Sequence, residues 1–513
     1  MKKTKKHINE LRSGVYLSYI NLLLGSIIPM FYTPVMLKLL GESEHGLYSL
    51  ANSATSYLSL LSFGFGSTIL RYLAKYRAEN DKESVQRTFG FFLILYSALA
   101  ILVMVGGYII SVNAELIFQK GLSIEEQEKI KILLLILAFN TALSFPTSVI
   151  TSICLAYERY VFRRTMDIIS TVAAPMVNLF VLYLGYASIG MVVSSTVLQT
   201  LMLVPNIFYC VRVLDIKPTF EYIPRSLIKE MVGFSAYVFI GSIADMLFWA
   251  TDKVILGMMV STAAVSVYQI GSTFNNMVMQ LSTSISGVLT PKITGMVVKN
   301  ASKETLTELF IRVGRIQFLI VALIVTGFTV FGQTFVLLWA GENYAESYWI
   351  AILTMFPLCI PLIQNTGLSI VVAQNKHKFR SIMYLTIAII NASSTYLVVP
   401  YLGGIGAALC SCISYLLGQG LIMNIYYYKV VGIDILQFWK NILKMSIFPM
   451  CMMFVGLNVV RVSVINNWVV FFTGVIVYTV IYCFGMYILN MNNYEKNIIR
   501  EPLKKIVLNI VCK

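Results

Sequence analysis

The chain has 513 residues, 58% of them hydrophobic and 12% charged, with a mean hydropathy of +0.77, where soluble domains carry roughly 45–50% apolar and about 25% charged residues. That balance excludes a soluble globular protein and describes an integral membrane protein. The formal charge of +15 does not signal nucleic acid, because the basic residues are spread through short loops between apolar runs and not gathered on a soluble face.

Taken in chain order, Met1-Lys2-Lys3-Thr4-Lys5-Lys6 imitates the basic start of a signal peptide. The apolar run behind it is too long and lacks a small-residue cleavage motif, so an uncleaved first span is expected. Apolar runs between polar punctuation predict fourteen transmembrane helices, at about 14–37, 46–70, 88–112, 131–156, 166–184, 189–211, 234–258, 264–290, 313–338, 349–372, 382–400, 404–428, 442–460 and 468–490. Helices are required because lipid offers no partner to unpaired backbone groups, and the alternation of a membrane barrel is absent. With the N-terminus inside, roughly 33 of the 39 Lys and Arg fall in cytoplasmic segments, which predicts a multi-pass protein of the cytoplasmic membrane with both termini in the cytoplasm.

The two halves resemble each other at an offset of about 217 residues. Leu40-Gly41 with Gly46-Leu47-Tyr48 parallels Leu256-Gly257 with Ser266-Val267-Tyr268. The run from Ala156 to Arg163 parallels that from Ala373 to Arg380, and Tyr183-Leu184-Gly185 parallels Tyr401-Leu402-Gly403. Six spans per repeat give both halves the same topology. The expected organisation is an N-terminal six-helix bundle over 1–215, a second six-helix bundle over 216–430, two additional helices over 431–490 and a cytoplasmic tail over 491–513.

Ionisable groups inside hydrocarbon are costly and mark candidate sites. The seventh span carries Asp245, Asp252 and Lys253, the two acids seven residues apart and so on one face of a continuous helix. They read either as an ion-binding acid beside a cation that attracts an anionic head group or, for Asp252 and Lys253, as residues snorkelling to the interface. Arg71 at the end of the second span reads as a phosphate contact or as a topology anchor. Asn178 and Asn275, with the other amides inside spans, suit a sugar or interhelical hydrogen bonds equally. His7, His45 and His377 are all read as loop residues, and seven of the eight cysteines lie in or beside apolar runs, with Cys512 in the tail. Neither type has metal-ligand spacing, so no catalytic cluster, metal or other cofactor is expected.

Leu40-Gly41-x4-Gly46-Leu47-Tyr48, Phe63-Gly64-Phe65-Gly66-x4-Arg71-Tyr72, Asp252-Lys253-x2-Leu256-Gly257, Tyr268 and Pro291 together resemble the polysaccharide transporter family, the O-antigen-type flippases of the multidrug/oligosaccharidyl-lipid/polysaccharide (MOP) exporter superfamily. The resemblance implies an all-α fold of two parallel six-helix bundles, as in MOP and MATE transporters, plus two C-terminal helices. It further implies ion-coupled translocation of a polyprenyl-pyrophosphate-linked oligosaccharide across the cytoplasmic membrane, without ATP. Lys253 and Arg71 would engage the pyrophosphate, Asn275 and Asn178 the substrate, and Asp245 and Asp252 the coupling ion. A polysaccharide polymerase or glycosyltransferases are the protein partners such a role implies. Ser266 stands where the family often has Gly, and Ser62 where an acid often precedes Phe-Gly. A MATE-type multidrug or cation antiporter and a membrane enzyme of polysaccharide assembly are the competing readings.

Overall fold

Every regular element among the described residues is helical, as a solvent that cannot bond to the backbone requires. The computed structural model describes residues 2–221, 225–299, 301–462, 467–498 and 500–501; Cys512 and the end of the expected tail lie outside them. The chain divides into two compact units, Met1–Gln269 with Tyr384–Ala407 and Ile270–Met383 with Ala408–Lys513.

In the first unit α1 (Lys2–Leu40) leads into α2 (Glu42–Ser56). A 3-10 turn over Tyr57–Ser62 follows, and then Phe63 (φ 49°) and Gly64 (φ 70°) stand in the left-handed region before α3 (Phe65–Ala78). Glycine adopts that conformation freely, whereas a residue with a Cβ gives up roughly 1–2 kcal/mol, so the predicted span at 46–70 is a broken helix. Next come α4 (Lys82–Val112), the short α5 (Ala114–Phe118), α6 (Ile124–Ala156), α7 (Tyr160–Tyr183) and α8 (Ala187–Phe208). Their starts are specified locally: Asp81 accepts the backbone N–H of Ser84 at 2.9 Å, and Ser123 and Glu126 form a reciprocal capping box at the head of α6. The interior of these helices is apolar and aromatic, with the rings of Phe65, Phe92, Tyr96 and Phe145 each 5.4–6.4 Å from the next. Large apolar side chains such as Phe31, Leu116 and Tyr183 stay exposed, the arrangement expected when the surrounding solvent is hydrocarbon.

The first unit continues through α9 (Arg225–Trp249), α10 (Thr251–Met259) and the opening of α11 (Thr262–Val298). In the second unit stand the rest of α11, α12 (Lys303–Trp339), α13 (Glu346–Ile363), α14 (Asn365–Ala373), the short α16 (Met423–Tyr426), α17 (Ile435–Val462) and α18 (Trp468–Gly485). The tenth span is interrupted at Gln364, after Pro357 and Pro361 have removed two backbone donors. At the break the Gln364 side-chain amide donates to Asn424 Oδ1 at 2.8 Å, which also accepts from Trp439 Nε1 at 3.0 Å.

Among the described residues, eleven helices are long and apolar enough to cross a membrane. That number and the fourteen spans of the sequence differ at three places. The second span is broken as described, and the eighth, 264–290, runs onto side chains outside the described set. The eleventh and twelfth spans merge into one helical run, Lys378–Val431. Its 54 residues would reach about 80 Å if straight, more than twice a hydrocarbon core of about 30 Å. The non-helical Gly403 (φ 53°, ψ −137°) inside α15 (His377–Tyr415) therefore separates two passes.

Candidate functional site

The seventh span is irregular where its charges sit. The α9 helix stops at Trp249, Ala250 stays right-handed with a stretched φ (φ −108°, ψ −32°), and α10 begins at Thr251, so the span is kinked there. The Asp252 side chain is 1% exposed, and a buried carboxylate is tolerated only when it is hydrogen-bonded. Its Oδ2 accepts from the Tyr268 hydroxyl at 2.5 Å and its Oδ1 from the Thr395 hydroxyl at 3.3 Å. The adjacent Lys253 donates from Nζ to Gln269 Oε1 at 2.9 Å. Side chains from α10, α11 and α15 thus converge on an acid and a base that are neighbours in sequence, and interrupted helices are where transporters bind ions and substrates.

The broken second span runs beside the kinked seventh, in opposite directions. Tyr57 OH meets Thr251 Oγ1 at 2.5 Å, the Phe63 and Phe239 rings lie 5.1 Å apart, and the Thr68 and Ser235 hydroxyls bond at 2.7 Å. Where the loops of α1–α2, α5–α6 and α10–α11 meet, Thr262 donates to Glu126 Oε1 at 2.5 Å, Ser43 donates to the same oxygen at 2.5 Å, and His45 Nδ1 lies 2.7 Å from Ser266 Oγ. The backbones approach so closely that a Cβ on Gly46 would stand 1.8 Å from Thr262 O and one on Gly121 2.1 Å from Gly257 O. Gly46→Ala is therefore expected to force α2 away from α11 at a cost of about 1–3 kcal/mol, seen as a lowered thermal-unfolding midpoint. An unchanged midpoint would show that this contact yields freely.

At the same end, Lys129 Nζ donates to Glu44 Oε1 at 2.8 Å and the Ser188 hydroxyl donates to the other oxygen. Burial works to raise the Glu44 carboxyl, but these partners hold it below its ordinary value. A carboxylate depressed in the folded state contributes stability above its unfolded pKa and loses it as pH falls through the folded one. The unfolding midpoint is thus expected to drop on acidification below about pH 4, with a shallower drop in Glu44→Gln; identical pH profiles for the two proteins would contradict this.

The remaining sequence candidates scatter. Asp245 is exposed on α9, while Asp252, seven residues on in α10, is buried. Arg71 is exposed on α3. Asn178 is buried between α7 and α8, accepting from Ser194 at 2.8 Å and Ser195 at 3.3 Å. Asn275 belongs to the second unit and donates to Thr354 Oγ1 at 2.7 Å. Gln269 and Thr395, the partners of Lys253 and Asp252, were not singled out by the sequence, and nothing in their spacing marks them. The two helices that touch there carry the tripeptides paired as repeats, Gly46-Leu47-Tyr48 and Ser266-Val267-Tyr268, each from the fifth residue of its helix.

Residues 35–349 match the family model described as polysaccharide biosynthesis protein. Among proteins of curated function no sequence match is found. The fold is similar to that of the lipid II flippase MurJ in an inward closed conformation, at 16% identity, with 93% of this chain and 98% of that one covered and a TM-score of 0.72. It is also similar to an inward-facing multidrug resistance MATE family transporter of the MOP superfamily (14% identity, 82% and 98% covered, TM-score 0.59) and to a Vibrio cholerae MATE transporter (13%, 84% and 99%, TM-score 0.56). A match over more than half its length and a fold shared with flippase and exporter structures lead to one conclusion: this chain belongs to the polysaccharide biosynthesis protein family and is a multi-pass membrane protein of the MOP transporter fold.

Proposed function

We propose that the protein is a flippase that carries a polyprenyl-pyrophosphate-linked oligosaccharide across the cytoplasmic membrane by ion-coupled alternating access, with both termini in the cytoplasm. The observation that carries the reading is the buried Asp252 beside Lys253 at the kink between α9 and α10, an acid and a base in a fold shared with the lipid II flippase MurJ. In this reading Asp252 takes the coupling ion, with Asp245 a second acid on its path. Lys253 and Arg71 attract the pyrophosphate, while Asn178 and Asn275 present amides to the glycan. The isoprenoid chain stays in apolar surroundings, for which the groove of about 490 Å³ between α12, α17 and α18, lined by Phe331, Val455, Val470 and Tyr478 among others, is suited. No step needs a bond to be made or broken, so the role is transport and not catalysis. The two six-helix bundles over 1–215 and 216–430 would be the bodies that rock, with 431–490 as the added helix pair.

Depletion of the protein in its own cells tests this. The reading expects labelled lipid-linked oligosaccharide to collect on the inner leaflet, closed to a reagent confined to the outer face, and surface glycan to fall. An undisturbed leaflet distribution with altered drug efflux would instead identify the antiporter suggested by the MATE likeness.

A further inference from the structure

At the kinked seventh span two consecutive residues of α10 bond two consecutive residues of α11: Asp252 to Tyr268 and Lys253 to Gln269. The other oxygen of the acid takes the Thr395 hydroxyl of α15. Two opposite charges that are neighbours in sequence are thus each held by neutral groups and form no ion pair with one another. An ammonium without a counter-charge is costly inside a membrane bundle, and a neutral amide stands where an acid would relieve that cost.

What the amide does to the lysine follows from its chemistry. An ammonium carries three donors, and among the described residues only Gln269 accepts from Lys253, at 2.9 Å. The lysine is half-buried, so donors remain for an anion. The Gln269 oxygen fixes the direction of the side chain and adds no charge of its own; a glutamate there would fix it equally well and cancel the charge. The internal repeat carries the two residues together. With Leu40-Gly41 set on Leu256-Gly257 and Tyr48 on Tyr268, the first half has Leu37 in place of Lys253 and Ser49 in place of Gln269, both buried. We infer that Gln269 is a positioning residue for anion recognition: it aims the Lys253 ammonium and, being neutral, leaves it able to bind the pyrophosphate of a lipid-linked substrate. The identity of that anion rests on the flippase reading.

The full chain in detergent is titrated with radiolabelled farnesyl pyrophosphate and with farnesol, the uncharged alcohol of the same chain. Gln269→Glu keeps the hydrogen bond to Lys253 and adds a negative charge, whereas Gln269→Met, of similar size, loses the hydrogen bond and adds none. A residue that only ties α10 to α11 tolerates Glu better than Met, and a residue that sets charge does the reverse. Gln269→Glu is expected to weaken pyrophosphate binding by about tenfold or more and Gln269→Met by about threefold, with farnesol binding unmoved by either. Should Gln269→Glu fail to accumulate, the exchange of Lys253→Gln with Gln269→Lys decides: it returns an ammonium to the site and is expected to bind the pyrophosphate about fivefold better than Lys253→Gln alone, and an exchange no better than that single variant overturns the inference. Binding in Gln269→Glu equal to the wild type, or Gln269→Met as weak as Gln269→Glu, also overturns it, and leaves the flippase reading standing as long as Lys253→Gln weakens binding. No pyrophosphate binding by the wild type, or binding that Lys253→Gln leaves unchanged, overturns the role read for Lys253 and this inference with it.

Discussion

Asp252→Asn is expected to cut ion-driven transport to below about one tenth of the wild-type rate, the effect of some 1.4 kcal/mol on the transport barrier, while the folded protein accumulates normally. The asparagine Oδ1 still accepts from Tyr268, whose hydroxyl lies 2.5 Å from the acid, so the packing at the kink is kept and the charge is lost. Tyr268→Phe makes the complementary change: it keeps the charge but removes a donor from a buried acceptor, at a cost of about 1–3 kcal/mol, and should slow transport without stopping it. Vesicle uptake rates for both variants, beside their unfolding midpoints, check this. Near-normal transport by Asp252→Asn would mean that the acid only ties α10 to α11 and α15.

The largest effect on stability is expected at the cytoplasmic end proposed for the second unit. Arg315 on α12 donates from Nε to Glu495 Oε1 at 2.6 Å and from Nη2 to Glu495 Oε2 at 3.0 Å and Asn490 O at 2.8 Å, with the Glu495 side chain 1% exposed. Arg312 lies 4.4 Å above the neighbouring Tyr494 ring, so the segment after α18 is strapped to α12. Removing one member of a buried pair strands the other's charge, at about 3–5 kcal/mol. Arg315→Met and Glu495→Leu should each lower the unfolding midpoint sharply, and the double variant should recover most of the loss. A double variant as unstable as the sum of the two would show that the pair is not coupled.

The helical, membrane-spanning character of the chain was legible because it rests on composition and on run length. Charge placement and the short motifs gave the family. The breaks were harder to read. Phe63-Gly64 was noticed as a motif and not as a pair of left-handed residues, and nothing in the residue type of Ala250 marks a kink there. Gly403 was seen as a repeat element and proves to be the turn between two passes. At the site, Asp252 and Lys253 stood out because charge in an apolar run is costly, whereas Gln269 and Thr395 are ordinary residues for such helices. Tertiary packing alone brings Thr395 to Asp252, across 143 positions of sequence.

The central claim is translocation, and the most direct measurement is made on the purified chain in sealed vesicles holding fluorescent polyprenyl-pyrophosphate-linked oligosaccharide in both leaflets. A glycan-cleaving enzyme added outside first removes the outer-leaflet pool. An imposed ion gradient should then expose the protected inner pool at a rate that rises with protein content and collapses in Asp252→Asn. A protected pool that stays as large as in protein-free vesicles, with and without the gradient, would contradict the account.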